Sequence, residues 1–541
     1  MKKLVLLLEI LALIAVMAAV VILGSPSETV VSGPADIEAL WAIEDTREES
    51  GAPLVTHLLC DGVPMVYVES EDTFYCTLGL ETGGDWPQMK ITAPQARGLS
   101  LCFSDDYTYD WCDEAIGSGY SYELMAYTDK AYDYFNVVFT GLPLVGLTSE
   151  QAITQEDTPA RVTVSGYGEA AVSTYARAHL RGGLSLSAEK KAYKIEYTRH
   201  ADGTGRVEWA TPGLGRTDEL LLLPMPFDSL LMRDRLSWDL YGRMTAQSGG
   251  FAPRKTAYAE VVINGEYAGV YLMMTPYSME RDLLSLGTEH LQDSVYRTCV
   301  AYMSEGRPLL EHPLREGAGY ELFYSPQSGE PFAPLAGYID LLLEEDDEAF
   351  CQKAMERLDL TSLLQSLILI QAGGMTDNVF NNLYIRAERT QAGYVYHFFP
   401  WDMDLAWGLK MEDIGFAFEN WMFFPLADRL ISLNPGGAVR AELLRLWESA
   451  CADLNLQTVQ ELTEAYAHEL NASGAMARNA ERWGTERYEA DGFEISDFAS
   501  VRFALLDETI RRLAQEPEGR APFLERTQYE GKGTPIQWDG E

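Results

Sequence analysis

Acids and amides crowd one short stretch of the chain. "GGMTDNVFNNLYIR", residues 373–386, carries Asp377, Asn378, Asn381 and Asn382 in close succession, and "PWDMD" further on adds Asp402 and Asp404. Oxygen donors of this kind hold hard divalent cations such as Mg2+, which take one or two carboxylates, an amide oxygen, and otherwise water or phosphate. The same residue types favour turns and helix caps, because their side chains bond nearby backbone. Capping therefore competes with metal binding for all of these positions. What separates the two accounts is whether folding brings the groups together.

The flanking patterns say that it does. "NLYIRAE" and "YVYHFF" surround "RTQAG", which predicts a β-hairpin over 382–399, an island in otherwise helical sequence. A hairpin returns the chain to its starting end, so Asp402 falls beside Asn382 and near Asp377. The order Asp377 to Asn382 is D-x-x-x-x-N. In phosphoryl-transfer catalytic loops of that order the Asp orients or deprotonates the acceptor hydroxyl and the Asn binds metal. A hairpin then leads to a metal-binding Asp, here Asp402, with Asp404 as a second acid. The spacing alone recurs by chance; the hairpin and acid pair give it weight.

Phosphoryl transfer also needs a cation on the nucleotide phosphates. "RGGLSLSAEKKAYKIEY" supplies Arg181, Lys190, Lys191 and Lys194 in a chain otherwise poor in base. Read as a strand, it puts Lys191 on the face of Tyr193 and Ile195, pointing inward as a phosphate lysine should. A solvated basic edge strand is the competing account. Arg233 sits on a helix predicted over "DSLLMRDRLSWDLYGRM", available to phosphate or to Asp234. There is no H-E-x-x-H, no G-x-S-x-G elbow and no P-loop.

The chain opens with Lys2, Lys3 and an apolar run from Leu4 to Leu23, broken only by Glu9. That is the length of a membrane span, and the charge bias places the N-terminus inside and the body outside. A cleaved signal is the alternative, so the protein is expected to be extracytoplasmic, either single-pass and anchored or secreted. Residues 1–27 are thus a signal or anchor, and 28–51 a polar linker. Residues 52–137 alternate apolar-aromatic runs with turns and predict a β-rich accessory domain. A β-rich lobe follows over 138–334, including a hairpin at Asn264-Gly265. A mainly helical lobe covers 335–515, and a tail 516–541. The fold class is α+β.

Acidic residues outnumber basic ones 82 to 41, for a net charge of −41. Such a surface repels phosphate backbones and argues against nucleic-acid binding. The seven cysteines, at 60, 76, 102, 112, 299, 351 and 451, show no zinc-ligand spacing. Four of them fall between residues 60 and 112, where one or two disulfides can form after export, with buried free thiols as the competing account.

"RGG…KKAYKIEY", "NGEYAGVYL", "DNVFNN" and "PWDMDLAWG", in that order, resemble the CotH kinase family, named for spore coat protein H. The resemblance covers roughly residues 138–440. It implies a two-lobed atypical protein-kinase-like fold, 138–334 being the nucleotide-side lobe, that transfers phosphate from ATP to Ser or Thr of protein substrates with Mg2+ or Mn2+. Carried over, Asp377 is the catalytic Asp, Asn382 and Asp402 are metal ligands, and a lysine of the pair Lys190-Lys191 meets the phosphates. Two departures stand out: Thr275 and Pro276 where members usually show an acid, and "RGGLS" for the more usual "RGNS". A non-catalytic surface scaffold that keeps the fold is the rival reading.

Overall fold

In the computed structural model, the apolar-aromatic runs up to Thr140 form strands where their alternation predicts them. The structure describes residues 29–516 except 31, 81–89, 95–97, 105–120, 167, 246–252, 300–318, 327–329, 345, 410–419, 423 and 485–491. The apolar N-terminal segment, Cys112 and all of the tail but Glu516 lie outside the described residues. Among the described residues no helix is long and apolar enough to cross a membrane.

Two sheets make the first β-region. One runs Ser32–Ala35, Ser100–Ser104, Ser121–Tyr127, Ala131–Thr140, Thr73–Thr77, Val66–Val68, and the other Thr29–Val30, Ile91–Ala93, Leu59–Cys60, Val63–Pro64. Phe74, Phe103, Leu124 and Val137 of the first share one core with Ile91 and Ala93 of the second. The next residue of a strand points the other way. Accordingly Tyr75 and Val138 pack with Leu144, Val262 and Tyr267 further along the chain, and Tyr75 stacks on Tyr267 at 5.3 Å. The segment 28–51 is not a featureless linker. It carries the helix Ile37–Glu44, capped by Asp36, with Leu40 buried beside Cys102 and Met125. Its polar composition describes the exposed side of that helix, while Ile37, Leu40 and Ile43 hold the other side down.

Seven strands then close into a barrel: Leu144–Thr148, Thr158–Ser165, Val172–Arg181, Ala192–Thr198, Glu219–Leu223, Glu266–Met274 and Thr256–Ile263. The last two form the expected hairpin, with Asn264 at φ 51° and Gly265 at φ 77°, the positive angles its two-residue turn requires. The chain also turns back at Asp202–Gly205, with Thr198 bridged to Arg206 and the Arg199 and Val207 amides donating to the Gly205 and Tyr197 carbonyls at 2.9 and 3.1 Å. Beyond it the strand Glu219–Leu223 takes over that edge.

In the helical lobe two helices, Asp347–Arg357 and Leu360–Gly373, lead up to the acid-rich stretch. Asp359 divides them by accepting the Ser362 amide at 2.8 Å as an N-cap. Gly374, at φ 64°, closes the second, the residue type a left-handed C-cap favours. The predicted hairpin is present as Leu383–Thr390 and Gly393–Pro400. It is half of a four-stranded sheet ordered Tyr320–Tyr324, Ser294–Thr298, Leu383–Thr390, Gly393–Pro400.

The chain divides into two units. One takes the described residues of 1–222, 258–271 and 469–488, the other those of 223–257, 272–468 and 489–541. The helix Ala475–Trp483 therefore belongs with the β-rich unit, far from it in sequence.

Candidate functional site

The root of the hairpin gathers the acids. Leu383 pairs with Pro400, and the Trp401 amide donates to the Asn382 carbonyl at 2.8 Å. Asp402 therefore follows directly on the residue bonded to Asn382. On its other side the Asn382 amide donates to the Thr298 carbonyl at 3.1 Å. Asn382 stands at φ 54° and Asp402 at φ 57°. Residues with a Cβ seldom adopt such angles, and they persist where the surroundings over-determine them.

Asp377 opens the single turn Asp377–Phe380 just past the cap Gly374. Its carboxylate accepts from Asn382 Nδ2 at 2.7 Å and Asn381 Nδ2 at 3.2 Å. Asn378 is fully buried and donates to the Trp401 carbonyl at 2.7 Å, so every Asn of the stretch ties the turn to the hairpin or to Asp377. The preceding helix end is fixed as well. Buried Arg502 donates to the Gln371 carbonyl at 2.8 Å and the Asn420 carbonyl at 2.6 Å, and the Trp407 amide to the Gly373 carbonyl at 2.6 Å. Cationic side chains commonly satisfy the last carbonyls of a helix in this way.

The acid loop is held from the helix Arg233–Thr245. Ser237 Oγ donates to the Met403 carbonyl at 3.1 Å and accepts from Trp407 Nε1 at 2.9 Å. Trp401 packs against Trp238 at 5.7 Å and Tyr277 at 5.2 Å between ring centres. An aromatic floor thus sets the backbone from which Asp402 and Asp404 project.

Burial, then the neighbouring carboxylates of Asp402, Asp234 and Asp377, pushes the Asp404 carboxyl well above its ordinary value. Burial and Asp402 raise Asp377 too, with Asn382, Asn381 and Arg297 pulling the other way. Arg297 is itself bonded to Glu321 at 2.7 Å. Negative charge is under-compensated here, and the donors are all oxygens, which fits a hard cation rather than a soft one. Among the described residues no group of three or more His, Cys, Asp or Glu stands ready to hold a metal. The set is of the sparser kind, carboxylate plus amide, that relies on phosphate and water for the remaining ligands.

Two contributors escaped the sequence reading. Asp234 was assigned to its neighbour Arg233, yet it is buried and acts on Asp404. Arg297 belongs to no motif and reaches the site only through strand pairing, opposite Tyr384. The reading of Arg233 as a phosphate cation is corrected. Its guanidinium is buried against Asp228, whose carboxylate also accepts the amides of Leu230, Met232 and Arg233 at 3.1, 2.9 and 2.8 Å. Arg233 is the pin of a helix start.

In the β-rich unit the barrel strand begins at Ala192, so strand alternation does not extend back over the lysines. Lys190, not Lys191, is the buried one. Its amine donates to the Val270 carbonyl and to Asn479 Oδ1 at 3.0 Å, and lies 4.7 Å from the Tyr271 ring centre. With only neutral partners, burial pushes its ammonium down to about 7. Lys191 is half-buried and donates to the Leu186 carbonyl at 2.7 Å, and Arg181 ends the preceding strand opposite Ala192.

A search of the curated proteins found no match. A scan against family models matched CotH kinase protein over residues 178–506, more than half of the 541 residues and spanning every candidate site residue. The chain belongs to the CotH kinase family.

Proposed function

We propose that this kinase-like protein transfers the γ-phosphate of ATP to Ser or Thr hydroxyls of surface or secreted proteins, on the outer side of a membrane. The observation that carries the reading is the hairpin root, where Asp377, Asn382 and Asp402 are held together in strained, fully tied backbone. Asp377 would orient the acceptor hydroxyl and take its proton. Its raised carboxyl pKa makes it a better base than an ordinary Asp. Asn382 and Asp402, with Asp404 behind them, would hold Mg2+ or Mn2+, which when bound neutralises charge on the phosphates. Asn382 does double duty, since its amide nitrogen fixes the Asp377 carboxylate and leaves its oxygen available for the ion. Lys190 is our candidate for the phosphate cation, because a buried ammonium with neutral partners gains most from an anion.

A second reading, a binding scaffold, draws on Thr275 and Pro276 standing where an acid is usual. The test is melting temperature with and without ATP plus Mg2+ or Mn2+, paired with transfer of labelled γ-phosphate to the protein itself or a Ser-rich acceptor. Catalysis predicts a shift and transfer in the wild type, with transfer lost in Asp402→Ala. A wild type that neither shifts nor transfers would establish the scaffold. Retained transfer in Asp402→Ala would move the metal role to Asp404.

A further inference from the structure

The first β-region holds a cysteine pair that the kinase reading does not use. Cys60 lies on the strand Leu59–Cys60 of the smaller sheet, and Cys76 on Thr73–Thr77 of the larger. Both are almost completely buried in the core that the two sheets share. Cys60 acts on the Cys76 thiol as a hydrogen-bonding neighbour, and Cys76 Sγ also donates to the Thr77 carbonyl at 3.8 Å. In its strand Cys76 points the same way as Phe74, into this core, while Tyr75 points out of it. Cys102 is not a competitor, because it sits on the opposite face of the larger sheet with Leu40 and Met125. Cys299, Cys351 and Cys451 belong to the other unit.

We infer that Cys60 and Cys76 form a disulfide bridging the two sheets when the chain matures in an oxidising compartment. Two thiols that are already hydrogen-bonding neighbours need only a short approach to the bond length of about 2.0 Å. The chemistry is thiol–disulfide exchange with a small-molecule or protein disulfide, RSSR. One thiolate attacks a sulfur of RSSR and releases RS−. The second thiolate then displaces the remaining RS−. Two S–H bonds are replaced by one S–S bond, and the oxidant leaves as two RSH. Inside the finished core the Cys76 thiol is pushed up by the Cys60 hydrogen bond and by burial. It ionises poorly there, so the bond belongs to an early stage, before the sandwich closes. Small β-sandwiches are commonly stapled across their sheets in this way, and the gain comes mainly from restricting the unfolded chain.

The experiment directs the full chain to a bacterial periplasm, blocks thiols in denaturant without reduction, and digests at Glu. That protease separates the two cysteines at Glu69 and Glu71. The expected result is a Cys60 peptide linked to a Cys76 peptide that parts on reduction. Reductant should lower the melting temperature of the wild type by several degrees. It should leave the doubly substituted Cys60→Ala, Cys76→Val chain, which keeps an apolar core, unmoved. Recovery of both cysteines in blocked, unlinked peptides, or of Cys76 linked elsewhere, would overturn the inference, and neither outcome depends on kinase activity.

Discussion

Each unit buries a cluster of charge, and the two are built on opposite terms. In the β-rich unit Glu260 is fully buried, and Arg478 meets it with two hydrogen bonds of 2.8 Å. Tyr267 adds a third at 2.5 Å. Burial by itself would raise that carboxyl, but Arg478 and the hydrogen bonds hold it below its ordinary value. At the hairpin root the balance is reversed: Asp377 and Asp404 are raised, each by burial and by other acids. A saturated buried carboxylate is a fastener, here tying the helix Ala475–Trp483 to the barrel. In the function proposed above, the under-neutralised cluster is where the divalent cation binds.

The largest effect should come from breaking the saturated pair. Arg478→Met leaves Glu260 buried without its countercharge and should cost about 3–5 kcal/mol, read from urea denaturation. The double variant Glu260→Leu with Arg478→Met should recover most of that, because an apolar pair of similar volume carries no desolvation penalty. If the single variant costs no more than the double, the pair is not the fastener described here.

That contrast also explains what the sequence disclosed. Asp377, Asn382 and Asp402 were legible because a local hairpin and a short turn bring them together, and local patterns are what periodicity and turn chemistry report. Asp234, Arg297 and the Glu260–Arg478 pair were not, because their partners are distant: Arg478 is 218 positions from Glu260. The strands Ser294–Thr298 and Tyr320–Tyr324 were missed for the same reason, since their place in the sheet depends on a hairpin later in the chain. The lysine pair was misoriented because alternation was extended beyond the first residue of the strand.

A smaller effect should separate strain that serves a site from strain that serves a turn. Asn382 and Asn264 have nearly the same φ, 54° and 51°. Asn264→Gly should cost about 1 kcal/mol, since glycine suits the turn's backbone but gives up the bond from the Ser149 amide to Asn264 Oδ1 at 2.7 Å. Asn382→Ala should lose about 2 kcal/mol through the left-handed backbone and the bond to Asp377, and Asn382→Gly about 1 kcal/mol less. Both Asn382 variants should lose the thermal shift with Mg2+ and ATP, while Asn264→Gly keeps it. An Asn382→Gly chain with a full shift would remove Asn382 from the metal role.

The smallest effect is the sharpest, because it has a sign. Asp404 has its carboxyl raised in the folded state above the ordinary 3.8. The folded chain then binds more protons than the unfolded chain between 3.8 and the raised value. Stability contributed by this group therefore falls as pH climbs through that window, and the penalty is complete above it. Glu260 runs the other way. Its lowered carboxyl adds stability above the ordinary 4.5, lost as pH falls through the folded value. Asp404→Asn should thus raise apo stability at pH 7 by up to roughly 1 kcal/mol, the scale of one relieved like-charge contact. The gain should shrink toward zero as pH falls through that window toward 3.8, and also on adding Mg2+ with ATP, which neutralises the same repulsion in the wild type. Melting temperatures of the two proteins across pH 4–8, with and without Mg2+ and ATP, measure the difference directly. A variant less stable than wild type at pH 7 without the ion would mean that Asp404 is fastened like Glu260, and the contrast between the two clusters would fail.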